Sequence, residues 1–212
     1  IHIYEKLNVS GGSMDGSGNA DDGYVIRGGR MFDYEQYPAL WNVLSEIPAI
    51  SDKNISVYEE IKNFNERIQT NSKARLVDRN GQITDVSSMG FNESDRMTLI
   101  KLMAKSEKSL EDITIEDFFS PHFFTTNFWY MWATTFAFEP WHSVLEFKRY
   151  LHIFIHEFPR INNLSGVKRS LYNQYDSIIL PVELWLKEQG VIFEYDCEVK
   201  DIEFETIENN EK

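Results

Sequence analysis

Between Phe118 and Trp141 the chain carries eleven aromatic side chains: Phe118, Phe119, Phe123, Phe124, Phe128, Trp129, Tyr130, Trp132, Phe136, Phe138 and Trp141. Burying one large apolar side chain is worth about 1.5–3 kcal/mol, so any fold of this chain must take most of that ring surface out of water. A membrane span would need about 20 consecutive apolar residues. The uninterrupted part, Phe128 to Phe138, is shorter than that, and Glu139-Pro140 ends it. The segment therefore predicts a buried helix with an aromatic wall. The wall reads either as ordinary core or as the side of a pocket for a long apolar ligand, which needs apolar lining and few polar anchors.

With 212 residues and 42% hydrophobic content, the chain has the material for a sizeable core. Its formal net charge of −13 argues against a nucleic-acid partner, since a phosphate backbone calls for a Lys/Arg surface. One cysteine, Cys197, excludes an internal disulfide and a cysteine zinc cluster, and its neighbours Asp196 and Glu198 disfavour a reactive thiolate. A reducing, cytoplasmic compartment follows, and the start of the chain has no basic and apolar stretches of the signal-peptide kind. The chain opens inside a strand-like alternation, Ile1 to Glu5, which reads as a domain cut from something longer.

Gly11-Gly12-Ser13 and Arg27-Gly28-Gly29-Arg30 are loop chemistry on either side of a short strand, Tyr24 to Ile26. Helices are expected over Tyr37–Ile47, over Val57–Ile68, from Asn92 to Lys105, from Thr114, and over His142–Phe158. Asn80-Gly81 between Ala74–Val77 and Ile83–Val86 signals a hairpin. Asp176 is the expected cap of a helix to Gln189, closed by Gly190 and followed by strands at Val191–Tyr195 and Val199–Phe204.

Three features point to a nucleotide. Glu5 ends a strand ahead of a glycine loop, where an acid receives a ribose hydroxyl in dinucleotide-binding sheets. The glycines let a backbone approach a flat ligand or a diphosphate, and Arg27 and Arg30 offer planar forks for phosphate. The strand after Gly190 returns to Val199, whose backbone would meet an adenine ring. His152 and His156 stand four apart, a spacing that binds metal on one helix face, but no HExxH is present and no metal is expected.

The runs IYEKLNVSGGSMDG (3–16), GYVIRGGR (23–30), NFWYMWATTFAFEPWHS (127–143), EFKRYLHIFIHEFPRI (146–161) and YNQYDSIILP (172–181) together resemble the fatty-acid hydratase family, the oleate hydratases also known as myosin-cross-reactive antigens. The resemblance covers most of the chain and is weakest over residues 50–90. It implies a mixed α/β fold: an FAD-binding Rossmann-type sheet portion with a helical, aromatic-rich substrate portion. Residues 1–35 would be part of the FAD-binding domain without its first strand and GxGxxG loop, residues 36–170 the mostly helical substrate region, and residues 171–212 the return helix and strand of the FAD domain. It implies FAD-dependent hydration of the cis double bond of a long-chain unsaturated fatty acid, oleate or linoleate, to a hydroxy acid. By position, Glu5, Gly12, Ser13, Met14, Arg27, Gly28, Gly29, Arg30 and Val199 would touch FAD, and Tyr150 would be the proton donor to the alkene. Met31 stands where many family members have a water-orienting glutamate, and a thioether takes no proton, so the water must be positioned by something else: Asp33, Glu35, or the flavin and backbone. Without the upstream loop, this segment alone is expected to bind FAD poorly and to be inactive. Peripheral membrane contact and a homodimer are compatible with the family. Two alternatives remain open from the sequence: a flavin oxidase or desaturase of the amine-oxidase and phytoene-desaturase type, and a non-catalytic lipid-binding remnant.

Overall fold

The computed structural model describes residues 1–14, 16–25 and 31–204. Its strands and helices, in chain order, are β1 (His2–Tyr4), β2 (Gly18–Asn19), β3 (Gly23–Tyr24), α1 (Pro38–Glu46), α2 (Val57–Arg67), α3 (Glu93–Ala104), α4 (Ile115–Phe118), α5 (Asn127–Phe136), α6 (Val144–Ile153), α7 (Leu180–Glu188) and β4 (Ile192–Glu194). The fold is mixed α/β, with helices dominant and small sheets. The chain divides into two compact units: residues 1–67 with 169–212, and residues 68–168.

In the first unit β1 and β4 pair in parallel, with His2 opposite Ile192, Ile3 opposite Phe193 and Tyr4 opposite Glu194. Parallel strands cannot be joined by a tight turn, and α7 is the helix that delivers the chain into β4. Pairing runs on past the strands: Glu5 N donates to Glu194 O at 2.9 Å, Cys197 N to Glu5 O at 2.9 Å and Asp196 N to Leu7 O at 3.1 Å. A second, antiparallel pair joins β2 to β3. The core of this unit is Trp41 and Leu44 of α1, Ile47, Val57 and Ile61 of α2, and Phe32 and Ile178. The Trp41 indole N–H is satisfied by Asp33 O at 2.9 Å.

Around α7 the structure corrects two sequence expectations. Asp176 is not the cap. Asn173 is, accepting Asp176 N at 3.0 Å through its side-chain oxygen, and Tyr175–Ile179 then form a wide, π-type turn before α7. Residues 199–204, expected as a strand, have no strand pairing among the described residues.

The second unit is built on the aromatic segment. Phe123, Phe128, Met131, Trp132 and Phe147 have no solvent exposure, and they pack with Leu102, Leu110, Ile115, Val144 and Leu151. Sequence-local caps start α3, α4 and α5. Asn92 accepts Asp95 N at 2.9 Å while Asp95 accepts Asn92 N at 3.0 Å, a reciprocal box that opens α3. Thr114 and Asp117 do the same for α4. Removing the cap with Asn92→Ala is expected to lower stability by about 1 kcal/mol, read by urea denaturation. The helix expected over 142–158 is shorter than foreseen. α6 ends at Ile153, and Ile155–Arg160 continue as a 3-10 helix with Pro159 inside. Proline has no N–H to donate and disfavours the α conformation in the residue before it, so an α-helix is broken within the preceding turn. Asn80-Gly81 does turn the chain, through Asp78 N to Gln82 O at 2.8 Å, but the hairpin is only a bridge between Val77 and Ile83. Arg75 stitches this loop to the helical part, donating to Ile161 O at 2.9 Å and Thr135 Oγ1 at 2.9 Å.

Candidate functional site

The described residues expected at a nucleotide all belong to the first unit. Glu5, the turn Gly12–Met14 and Val199 all follow the C-terminal ends of the parallel strands β1 and β4. Ligands of open α/β sheets bind at those ends. One Glu5 carboxylate oxygen accepts Leu7 N at 2.8 Å, an interaction that fixes the side chain across the start of the loop. Gly12–Met14 form a 3-10 turn closed by Met14 N to Gly11 O at 2.9 Å. Val199 is exposed. The turn Arg27-Gly28-Gly29-Arg30 lies outside the described residues.

The glycines do two different jobs. Gly11 has φ +109°, and a Cβ there would come within 3.1 Å of Ile179; a Cβ on Gly16 would lie 2.8 Å from the Tyr175 Cβ. These two glycines bring the loop against the turn that precedes α7. At Gly12 a Cβ would meet nothing within 4 Å, and Gly12 and Ser13 are exposed. That open backbone leaves room for a ligand to approach the turn.

Beside this loop lies a polar cluster that the sequence reading did not single out. Glu183 of α7 is buried, and it receives the Ser10 hydroxyl on one carboxylate oxygen and the Lys187 ammonium, at 2.5 Å, on the other. Lys187 also stands over the rings of Phe193 and Tyr195, 5.4 and 5.6 Å from their centroids. Burial pushes the Glu183 carboxyl up, but hydrogen bonds from Lys187 and Ser10 and the nearby Tyr195 hydroxyl outweigh it and hold the group below its ordinary value. Burial, with the same carboxylate next to it, pushes Tyr195 up to about 12. The Tyr195 hydroxyl is near enough to feel Glu183 but makes no bond of good geometry. The signal available in the sequence was the Glu183/Lys187 spacing of four on one helix.

Met31 is half-buried, next to buried Phe32 and Asp33. Of the two nearby acids, Glu35 is exposed, whereas Asp33 is buried and accepts Glu35 N at 2.6 Å.

In the second unit Tyr150 lies on α6, 36% exposed. Its ring meets Phe136 at 5.5 Å and Phe138 at 5.1 Å, both edge to face, and Phe154 at 5.9 Å. It thus stands at the partly exposed edge of the aromatic core. Most of the wall is core: Phe119, Phe123, Phe128, Trp129, Trp132 and Phe138 are buried, and Tyr130 and Trp141 are exposed. His152 sits in α6 and His156 in the 3-10 helix beyond its end, so the four-residue spacing does not lie on one continuous α-helical face. Among the described residues no helix is long and apolar enough to cross a membrane.

The sequence profile of the MCRA family matches residues 1–212. The chain belongs to this family. Within it, the chain is 41% identical over 187 residues to a linoleate hydratase of Lactiplantibacillus plantarum, covering 86% of this chain and 33% of that protein. It is 37% identical over 205 residues to an oleate hydratase of Streptococcus pyogenes serotype M49 (strain NZ131), covering 97% of this chain and 35% of that protein. The chain thus spans about a third of the length of the curated relatives it matches. The resemblance drawn from the quoted motifs therefore holds over the whole chain, and its named relatives are hydratases.

Proposed function

We propose that this chain is part of an FAD-dependent fatty-acid hydratase that adds water across the cis double bond of an unsaturated fatty acid such as oleate or linoleate. The observation that carries the reading is the family match over the whole chain, with relatives named for linoleate and oleate hydration. The structure's contribution is chemical fit: an exposed glycine turn and an acid at the C-terminal ends of parallel strands, and a tyrosine at the rim of an aromatic core.

Glu5, Gly12, Ser13, Met14 and Val199, with Arg27 to Arg30, would hold FAD, the acid taking ribose hydroxyls and the open turn admitting the flat or phosphorylated parts. Bound in its reduced form, FAD would supply an electron-rich surface that favours positive charge on carbon. The Tyr150 hydroxyl donates its proton to one alkene carbon, leaving a cation on the other. A phenol, with an ordinary pKa of about 10, does this only where that cation is stabilised. The Phe136 and Phe138 rings beside it provide π density for that purpose. Water then adds to the cation and loses a proton, and the phenolate regains one. The sum is one water gained, with no net oxidation.

The test is to incubate the full-length protein carrying this chain with oleate and reduced FAD. The expected product is heavier by one water; loss of hydrogen with flavin reduction would make it an oxidase or desaturase instead. Met31 favours one second reading, a lipid-binding remnant, which predicts bound fatty acid and no product. The same residue gives a sharper prediction. A carboxylate in its place would accept the water's proton, so Met31→Glu is expected to raise kcat several-fold, toward the roughly 100-fold at the lower end of what a positioned base contributes. A variant no faster than wild type would locate the base elsewhere, with buried Asp33 the first residue to replace.

A further inference from the structure

Glycine loops that receive ligands must expose backbone without collapsing, so something behind them has to fix their shape. Here part of that support comes from the α7 element and the turn before it. Ser10 bonds to Glu183, Gly11 packs on Ile179 and Gly16 packs on Tyr175. Between these points Gly12 and Ser13 remain exposed. Glu183 is the buried centre of the arrangement. Its two carboxylate oxygens are shared between the loop, through Ser10, and Lys187, which reaches the rings of Phe193 in β4 and Tyr195 just beyond it. A charged acceptor makes shorter and stronger hydrogen bonds than a neutral one, so Ser10 is gripped firmly for so short a side chain.

We propose that Glu183 is a positioning residue: through Ser10 it sets the turn Gly11–Met14 in the form that receives FAD, and through Lys187 it keeps that turn in step with strand β4. The inference rests on the FAD reading above. Glu183 itself need not touch the cofactor. Its action lies in removing the alternative shapes that a loop with so many glycines would otherwise sample, which lowers the ordering cost of binding.

The experiment uses the full-length protein and two readouts. Amide hydrogen exchange over residues 11–14 is followed without cofactor, and the FAD dissociation constant is taken from quenching of flavin fluorescence. Ser10→Ala leaves the buried carboxylate in place and removes only the loop's grip. It is expected to speed exchange over residues 11–14 and to weaken FAD binding about tenfold, whereas Ser10→Thr, which keeps the hydroxyl, restores both. Glu183→Gln should act in the same direction. Unchanged exchange and unchanged FAD affinity in Ser10→Ala would overturn the proposal, as would Ser10→Thr behaving like the alanine variant. If the wild-type protein binds no FAD while Ser10→Ala still loosens the turn, the cofactor reading fails and the link between Glu183 and the turn stands.

Discussion

Tyr150→Phe in the full-length protein should lower kcat for oleate hydration at least about 100-fold, with little change in substrate affinity. The substitution removes one oxygen and one acidic proton and leaves the ring, so the contacts with Phe136, Phe138 and Phe154 are kept. General acid catalysis contributes typically 10²–10⁴-fold, and without the phenol only the much weaker acid water is left to protonate the alkene. Because Tyr150 is partly exposed and at the rim of the core, stability should change little. A KM close to wild type with kcat collapsed would mark an interaction made in the transition state; equal loss of binding would mark Tyr150 as a wall residue. Retained hydration would remove it from the role of donor.

The largest effect on stability should come from Phe123→Ala. Phe123 has no solvent exposure, and its ring is surrounded by those of Phe91, Phe119, Phe124, Phe128, Trp129 and Phe147, at centroid separations from 4.0 Å (Phe119) to 6.3 Å (Phe91). Truncating a buried phenylalanine costs about 3–5 kcal/mol, from lost transfer energy plus the cavity left behind. That is a large part of the roughly 5–15 kcal/mol that holds a domain together. Urea denaturation followed by tryptophan fluorescence is the measurement, with Trp141→Ala as its control. Trp141 comes from the same aromatic run but is exposed, and its loss should stay within about 0.5 kcal/mol. Equal destabilisation by the two would contradict the placement of the core.

The contrast between Phe123 and Trp141 shows where the sequence was legible. Apolar density and spacing say that a segment is buried; they do not say which of its rings form the centre, because that depends on partners such as Phe91 and Phe147 supplied from elsewhere in the unit. Local signals fared best. The Asn92 and Thr114 caps, the helix start at Pro38 and the left-handed Gly190 are set by interactions within a few residues, and the structure has them where the sequence implied. The helix through His142–Phe158 was read too long because its 3.6-residue rhythm continues past Ile153, whereas Pro159 acts a turn upstream of itself. Likewise the acid next to Tyr175 looked like a cap, while Asn173 does the capping.

At the candidate site, single residues were easier to see than their relations. The glycines at 11, 12 and 16 were visible, but not that two of them approach a helical turn and one is open. Ser10 and Glu183 are 173 positions apart, and no periodicity links them; only the folded chain brings the hydroxyl to the carboxylate. The family resemblance was legible because several long motifs agree at once, which no single turn or histidine pair could provide.

The central claim is that the hydroxyl group placed on the fatty acid comes from water, by protonation of a double bond. Running the full-length protein with oleate and reduced FAD in isotopically labelled water tests it directly. The account predicts a hydroxy acid whose oxygen comes from the labelled water and which holds one non-exchangeable solvent hydrogen on the neighbouring carbon, formed by wild type and lost in Tyr150→Phe. A product with unlabelled oxygen, or a fatty acid that has lost hydrogen, would contradict it.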